Sequence, residues 1–239
     1  MKDNLMYKLL PLLIRSNGKT DISVTGISMN PTLFEGDIIT IQQYDNYEVG
    51  DILVFTYKTG ELLVHRLLKK DNRYFCKGDN AFRLEDITYE QIIGKVTAVN
   101  GERIQTWDGW KIKLSYDVNR AFIKYRYDVQ KTKQTEIYKL YNNIILRKED
   151  GEMTYKKNEK MDYIKSDETS LAVFDPESGD THFFDETGID ILEILSAERS
   201  LEVLLSELCK IYSVTAEEIK SDVEEFLASA VSKGIVKVV

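Results

Sequence analysis

A serine and a histidine in the first third of the chain have the side chains that nucleophilic catalysis needs. Ser28 lies in the segment Gly26-Ile27-Ser28-Met29-Asn30-Pro31-Thr32-Leu33, and His65 is one of two histidines in the 239 residues. A serine hydroxyl becomes a nucleophile when a neighbouring base accepts its proton. A predicted strand places Leu63, His65 and Leu67 on one face. Periodicity alone favours the simpler interpretation, in which Ser28 is a turn residue and His65 a surface imidazole.

Short β-branched runs separated by turn residues predict the domain that positions this pair. The predicted strands cover residues 22–24, 38–41, 52–57, 61–68, 74–76, 94–99 and 103–106. Asn100-Gly101 is typical of a hairpin turn. Many short strands at this spacing predict a small antiparallel β-domain, folded as a barrel or a sandwich.

Charge divides the chain into three parts. Residues 1–110 carry 13 Lys/Arg and 15 Asp/Glu (net −2), residues 111–165 carry 14 and 8 (net +6), and residues 166–239 carry 5 and 17 (net −12). This asymmetry predicts modules at 1–110, 111–160 and 161–239. The basic middle has a helical apolar stripe that fits two helices or one interrupted helix, and its residues 148–160 are interpreted as a linker.

The acidic tail predicts a winged-helix-like unit, which makes the whole chain α+β. Two strand-like runs, at 171–174 and 181–184, flank a turn, and helical patterns follow at about 187–197, 200–212 and 216–232. A last short strand is predicted at 235–239. No nucleic acid is expected as a partner of this unit, since its net charge of −12 repels the phosphates of a duplex.

The longest apolar run, Leu9 to Ile14, is far shorter than the roughly 18–20 residues that span a bilayer. Cys76 and Cys209 are 133 positions apart and have no metal-ligand spacing. We therefore expect a cytoplasmic protein with no metal and no other cofactor.

The order of motifs around Ser28 resembles the signal peptidase family, and more distantly the self-cleaving repressors of the LexA type. The motifs are Ser28-Met29-x-Pro31-Thr32-Leu33, Gly36-Asp37, Gly50-Asp51-Ile52, His65-Arg66 and Lys77-Gly78-Asp79-Asn80. At the position before Arg66, bacterial signal peptidases have a lysine. This chain has His65 there, as does the endoplasmic-reticulum and archaeal type. These peptidases normally have a membrane-spanning helix before the serine. Here the Leu9 to Ile14 run is interpreted either as a peripheral membrane contact or as a docked helix.

The resemblance implies a serine peptidase with Ser28 as nucleophile and His65 as base. It assigns Asp79 to hold the imidazole, with a second acidic residue, Asp86 or, by its spacing, Glu85. Met29 and Pro31 are expected beside the substrate, with ordinary core packing an equal alternative for Met29. The Ser28 backbone N–H is a candidate oxyanion donor, and the second donor is not identified.

The tail resembles the PqqD-like proteins that hold the leader peptides of ribosomally synthesised, post-translationally modified peptides. The resemblance rests on Ala172-Val173-Phe174, the run Phe183 to Gly188, the Leu201 helix, Tyr212-Ser213-Val214, Val223 to Leu227 and Lys233-Gly234-Ile235. It implies that a leader adds as a strand along 181–185. The expected contact residues are His182, Phe183, Phe184, Val223 and Phe226. The alternative is an interaction domain with no peptide site.

Together the two resemblances predict a peptidase that removes the leader of a modified peptide precursor. The expected partners are that precursor and a peptide-modifying enzyme. Two alternatives stay open: a non-catalytic chaperone of the precursor, and a general signal peptidase attached peripherally to a membrane. The basic middle would be a spacer, a surface for acidic leaders or lipid headgroups, or a solvated helix pair packed on the first domain.

Overall fold

The computed structural model of the chain describes residues 6–58, 60–146, 153–165 and 169–239. The chain divides into two compact units, Met1–Thr132 and Lys133–Val239. The architecture is α+β and begins with an antiparallel half-barrel sheet, which confirms the predicted fold class. The division at residues 110 and 160 stays a prediction.

The first unit is built on one antiparallel sheet. Helix α1 (Met6–Asn17) precedes the strands. These are β1 (Lys19–Ser23), β2 (Ile38–Gln42), β3 (Ile52–Tyr57), β4 (Glu61–Lys70), β5 (Tyr74–Lys77), β6 (Glu85–Ile87), β7 (Ile92–Val99) and β8 (Glu102–Arg103). Their order is β1-β2-β7-β3-β4-β5-β6, and β8 pairs with β7. A 3₁₀ turn, Tyr89–Gln91, leads into β7.

Among the described residues of the first unit, two clusters of buried apolar side chains involve α1 and the strands of the sheet. One contains Leu10 and Ile14 of α1 together with Ile39 of β2. This contact identifies α1 as a docked helix, whereas Leu12 and Leu13 are exposed. The other cluster contains Phe55 of β3, Leu67 of β4 and Cys76 of β5. Since burying such a side chain stabilises a fold by about 1.5–3 kcal/mol, both clusters hold the central strands firmly.

The basic middle is helical, as its stripe predicts. It forms α2 (Gly109–Lys124), α3 (Val129–Lys133) and α4 (Glu136–Tyr141), and a π-helical turn, Asn142–Leu146, continues α4. The predicted linker is wrong in part, because Thr154–Lys157 forms strand β9. Residues 147–152 lie outside the described residues.

After the π-helical turn, the described residues of the second unit form two small sheets and three further helices. One sheet joins β10 (Asp162–Lys165), β11 (Leu171–Phe174) and β12 (Thr181–Phe184) in that order. Helices α5 (Glu186–Ile194), α6 (Leu201–Tyr212) and α7 (Ala216–Ser232) follow. In the other sheet, β9 lies between β13 (Arg199–Ser200) and β14 (Val236–Val238). The predicted hairpin, helices and last strand are present, and β10 adds a strand that was not predicted.

Candidate active site

Ser28 lies on a tight turn that follows β1. The amide of Asn30 donates to the carbonyl of Ile27 at 3.2 Å, and the amide of Leu33 donates to that of Met29 at 3.0 Å. Met29 and Leu33 are buried in the first apolar cluster, which anchors the turn from within. Ser28 itself is half-buried. The turn therefore presents a hydroxyl from a fixed backbone.

His65 lies on β4 and reaches this hydroxyl. Its Nε2 is 3.0 Å from Ser28 Oγ, within the range of a hydrogen bond. The side chain is 5% exposed, and its ring packs against Phe55 with the centroids 6.1 Å apart. The strand thus holds the imidazole in one orientation, which a solvent-exposed histidine would not have.

Glu85 supplies the carboxylate on the other ring nitrogen. Its Oε2 is 2.8 Å from His65 Nδ1. Glu85 lies on β6 opposite Cys76 of β5, whereas the next residue, Asp86, is exposed and pairs with Arg73. Because successive strand residues point to opposite faces, only Glu85 can face the imidazole. The expectation for Asp86 is corrected in favour of the alternative weighed for Glu85.

Asp79 does not occupy the position beside the imidazole that the resemblance assigned to it. Its two oxygens accept from the Arg66 guanidinium, at 3.0 Å from Nε and 2.8 Å from Nη2. The Thr32 hydroxyl donates to the same carboxylate at 2.6 Å. Asp79 and Arg66 are both completely buried, and Arg66 stacks on Trp107 at 3.9 Å. Asp79 therefore connects β4, through Arg66, to the turn that carries Ser28, through Thr32.

The loop after β5 packs directly on the serine and the histidine. The amide of Asn80 donates to the Ser28 carbonyl at 2.7 Å. A Cβ added at Gly78 would lie 2.6 Å from that carbonyl oxygen and 2.9 Å from His65 Nε2, so the glycine permits this approach. The ammonium of Lys77 closes the loop by donating to the carbonyls of Gly78 at 3.0 Å and Ala81 at 2.8 Å. Burial lowers the pKa of Lys77 to about 8.

The two residues expected beside the substrate differ in exposure. Met29 is 2% exposed and belongs to the apolar core, which matches the core-packing alternative. Pro31 is half-buried in the same turn.

Asp37 stabilises the next turn of the chain. Its carboxylate accepts a hydrogen bond from the amide of Phe34 at 2.7 Å. This bond, with one from Asn100, lowers the pKa of the Asp37 carboxyl.

The predicted leader-binding residues lie on two elements of the second unit. On β12, Phe183 is 76% exposed, while His182 and Phe184 are half-buried. Phe184 contacts Phe226 of α7, with ring centroids 5.8 Å apart. Val223 is buried and belongs to the interior face of α7. The structure thus brings Phe184 and Phe226 into contact, whereas the ring of Phe183 is exposed to solvent.

No cluster of metal-ligating side chains occurs among the described residues. Over the same ranges, the helices are all too short or too polar to cross a bilayer.

Comparisons with known families match the chain in two places. Residues 6–97 match the family model "Peptidase S24-like", which covers Ser28, His65 and Glu85. Residues 170–236 match "Coenzyme PQQ synthesis protein D (PqqD)", which covers β12 and α7. No curated protein matches the chain in sequence. The chain is therefore similar to Peptidase S24-like proteins in its first part and to PqqD in its last part, which matches the predicted fusion of a peptidase-family domain with a PqqD-like domain.

Proposed function

We propose that this protein is a serine peptidase that removes the leader segment from a modified peptide precursor. The observation that carries the peptidase assignment is the 3.0 Å distance between Ser28 Oγ and His65 Nε2. The second half of the proposal rests on the PqqD-like match over residues 170–236. Because the two domains belong to one chain, we expect them to act on the same precursor, one by binding its leader and the other by cleaving it.

The proposed reaction is acyl transfer to Ser28. His65 Nε2 accepts the hydroxyl proton while Ser28 Oγ bonds to the scissile carbonyl carbon. His65 then gives this proton to the leaving amine as the C–N bond breaks. Water enters and loses a proton to His65 as its oxygen bonds to the acyl carbon. His65 then returns this proton to Ser28 Oγ as the ester bond breaks, which releases the acyl group as a carboxylic acid and restores the free serine. Glu85 accepts the Nδ1–H of His65, which selects the reactive tautomer and stabilises the imidazolium.

Asp79 is proposed as a positioning residue rather than a member of the relay. Its carboxylate holds Arg66, next to the base, and Thr32, four residues after the nucleophile. A buried, bidentate ion pair is geometrically specific. Breaking it would leave an uncompensated charge in the interior, which costs about 3–5 kcal/mol. The Ser28 N–H is proposed as one oxyanion donor.

The second unit is proposed to hold the leader by strand addition to β12. Backbone hydrogen bonds along the edge would give affinity, and Phe183 and the Phe184–Phe226 pair would select side chains. Binding one part of a precursor raises the concentration of its cleavage site near Ser28, toward the millimolar range of short linkers. The modifying enzyme is expected to act before this cleavage.

A peptide library tests the peptidase activity without knowledge of the precursor. The wild type and Ser28→Ala are incubated with a mixture of random peptides, and the products are identified by mass spectrometry. We expect new termini with the wild type and none with Ser28→Ala. Ser16→Ala changes an exposed serine and is the matched control, which should cleave normally. Equal cleavage by Ser28→Ala would refute the nucleophile, and no cleavage by the wild type would favour a precursor-binding chaperone.

A further inference from the structure

The sheet of the second unit has an open edge at β12. Within the described residues, β12 is the terminal strand of the order β10-β11-β12 and pairs with β11 alone. The backbone groups on its outer side are available to another strand, and such an edge is a template for peptide addition. Its four residues fit a short peptide segment, since the register with β11 is regular from Thr181 to Phe184.

Apolar side chains stand on both faces of this edge strand. Phe183 points to the outer face and is opposite Ala172 of β11, which is opposite Ile164 of β10. Ile164 is also exposed. On the inner face, Phe184 contacts Phe226. An added strand would place neighbouring residues beside Phe183 and beside Phe226, because adjacent strand residues point to opposite faces.

Acidic residues surround these apolar positions. Asp180 precedes β12, and Asp185 and Glu186 follow it; all three are exposed. On α7, Asp222 lies one turn before Phe226 and Glu225 immediately before it, and both are exposed. Within α7, the basic residue nearest to Phe226 in sequence is Lys220, six positions earlier. The edge therefore combines an apolar centre with negative charge at both ends.

We infer that the peptide bound at β12 is cationic, with two adjacent apolar residues flanked by Lys or Arg. This inference rests on the proposed function, in which β12 receives the leader. Apolar contacts with Phe183 and Phe226 would supply affinity, and the surrounding carboxylates would select the positive flanks and repel acidic ones. An acidic peptide would meet mostly like charges, since residues 166–239 carry 5 Lys/Arg against 17 Asp/Glu.

Three synthetic octapeptides test the inference on the full chain. They share a central Thr-Leu-Val-Thr segment and carry two Lys, two Gln or two Glu at each end. Chemical shifts of backbone amides, recorded in ¹⁵N-labelled Ser28→Ala protein, give both the binding site and the affinity. We expect the lysine peptide to shift residues 181–184 and to bind roughly tenfold more tightly than the glutamate peptide at low salt, with the difference shrinking at 0.5 M salt.

Matched charge variants separate local recognition from general attraction. Asp222→Asn/Glu225→Gln removes two charges beside Phe226, whereas Glu202→Gln/Glu207→Gln removes two exposed charges on α6. We expect the affinity for the lysine peptide to fall about threefold or more in the first variant. In the second variant it should fall by less than about 1.5-fold. Equal losses would overturn the inference.

The remaining outcomes are distinguishable. Shifts at 181–184 with equal or tighter binding of the glutamate peptide would refute the charge preference and leave the edge as a peptide site. If none of the three peptides shifts these residues, the leader-binding half of the proposed function fails as well. Cleavage of the random library stays an independent measure of the peptidase half.

Discussion

The two regions assigned to catalysis and to recognition are built in opposite ways. Near Ser28, His65 is 5% exposed, and Asp79 and Arg66 are completely buried and pair with each other. Around β12, the polar backbone edge is open and Phe183 is 76% exposed. The first region holds its side chains through buried hydrogen bonds, and the second leaves one edge of its sheet unpaired within the described residues.

The two regions should therefore differ in how well they tolerate substitution. The proposed proton transfer requires Ser28, His65 and Glu85 at hydrogen-bond distance, so displacement of any of them should abolish cleavage. Strand addition uses backbone hydrogen bonds that every peptide can form, so single substitutions should weaken it by degrees. The catalytic region should respond steeply to mutation, and the recognition region gradually.

The largest expected effect separates Glu85 from its neighbour. Glu85→Gln keeps the size of the side chain but removes the carboxylate that accepts the Nδ1–H, and kcat/KM should fall roughly 10³-fold. Asp86→Asn removes a charge that pairs with Arg73 at the surface and should change kcat/KM less than twofold. Steady-state cleavage of a peptide from the library measures both. Equal effects of the two variants would contradict the assignment of Glu85.

The next effect tests the close approach of the loop to the catalytic pair. Gly78→Ala adds a Cβ at 2.6 Å from the Ser28 carbonyl and 2.9 Å from His65 Nε2, which must push them apart. Cleavage should slow by about 100-fold, with circular dichroism showing a folded protein. Gly109→Ala meets no atom within 4 Å and serves as control. An active Gly78→Ala enzyme would mean that the catalytic geometry is less rigid than described.

A smaller effect is expected in the recognition region. Phe183→Ser removes an exposed ring and should weaken binding of the lysine peptide by roughly tenfold or less. The rate at which a fluorophosphonate acylates Ser28 should not change. Phe34→Ser removes a ring of the first unit that is 52% exposed and should leave peptide binding intact. A lower acylation rate in Phe183→Ser would break the proposed separation of the two regions.

The smallest effect concerns the buried ammonium of Lys77. Its pKa in the folded chain is about 8, below its ordinary value of 10.5. Between these values the unfolded chain binds more protons at this residue, so the free energy of unfolding should rise with pH. The slope attributable to Lys77 is at most about 1.4 kcal/mol per pH unit. Denaturation of the wild type and Lys77→Met from pH 7.5 to 9.5 isolates this contribution, which should be absent from the variant.

The sequence predicts most of the first unit because its strands carry strong local patterns. Residues 52–57 are β-branched and apolar and form β3 as expected. Glu85–Ile87 has one apolar residue in three, and its strand conformation comes from pairing with β5. The choice between Glu85 and Asp86 depends on this long-range register, which local periodicity does not contain.

Asp79 shows a second limit of the sequence. The motif Lys77-Gly78-Asp79-Asn80 indicates a functional loop, but the partner of its carboxylate depends on the face from which Arg66 approaches. In β4, Arg66 and His65 are adjacent and point to opposite faces.

The conformation of β9 is likewise not contained in its local sequence. Its residues, Thr154–Lys157, are mainly polar and form a strand by pairing between β13 and β14. The chain's later segments, not its local sequence, determine that conformation.

The most direct test of the central claim is acylation of Ser28 itself. A fluorophosphonate is added to the wild type, Ser28→Ala and His65→Ala, and the intact mass and the modified peptide are determined by mass spectrometry. We expect one adduct, on Ser28, in the wild type, none in Ser28→Ala, and a rate at least about 100-fold lower in His65→Ala. Equal labelling of the wild type and His65→Ala, or an adduct on another residue, would contradict this claim.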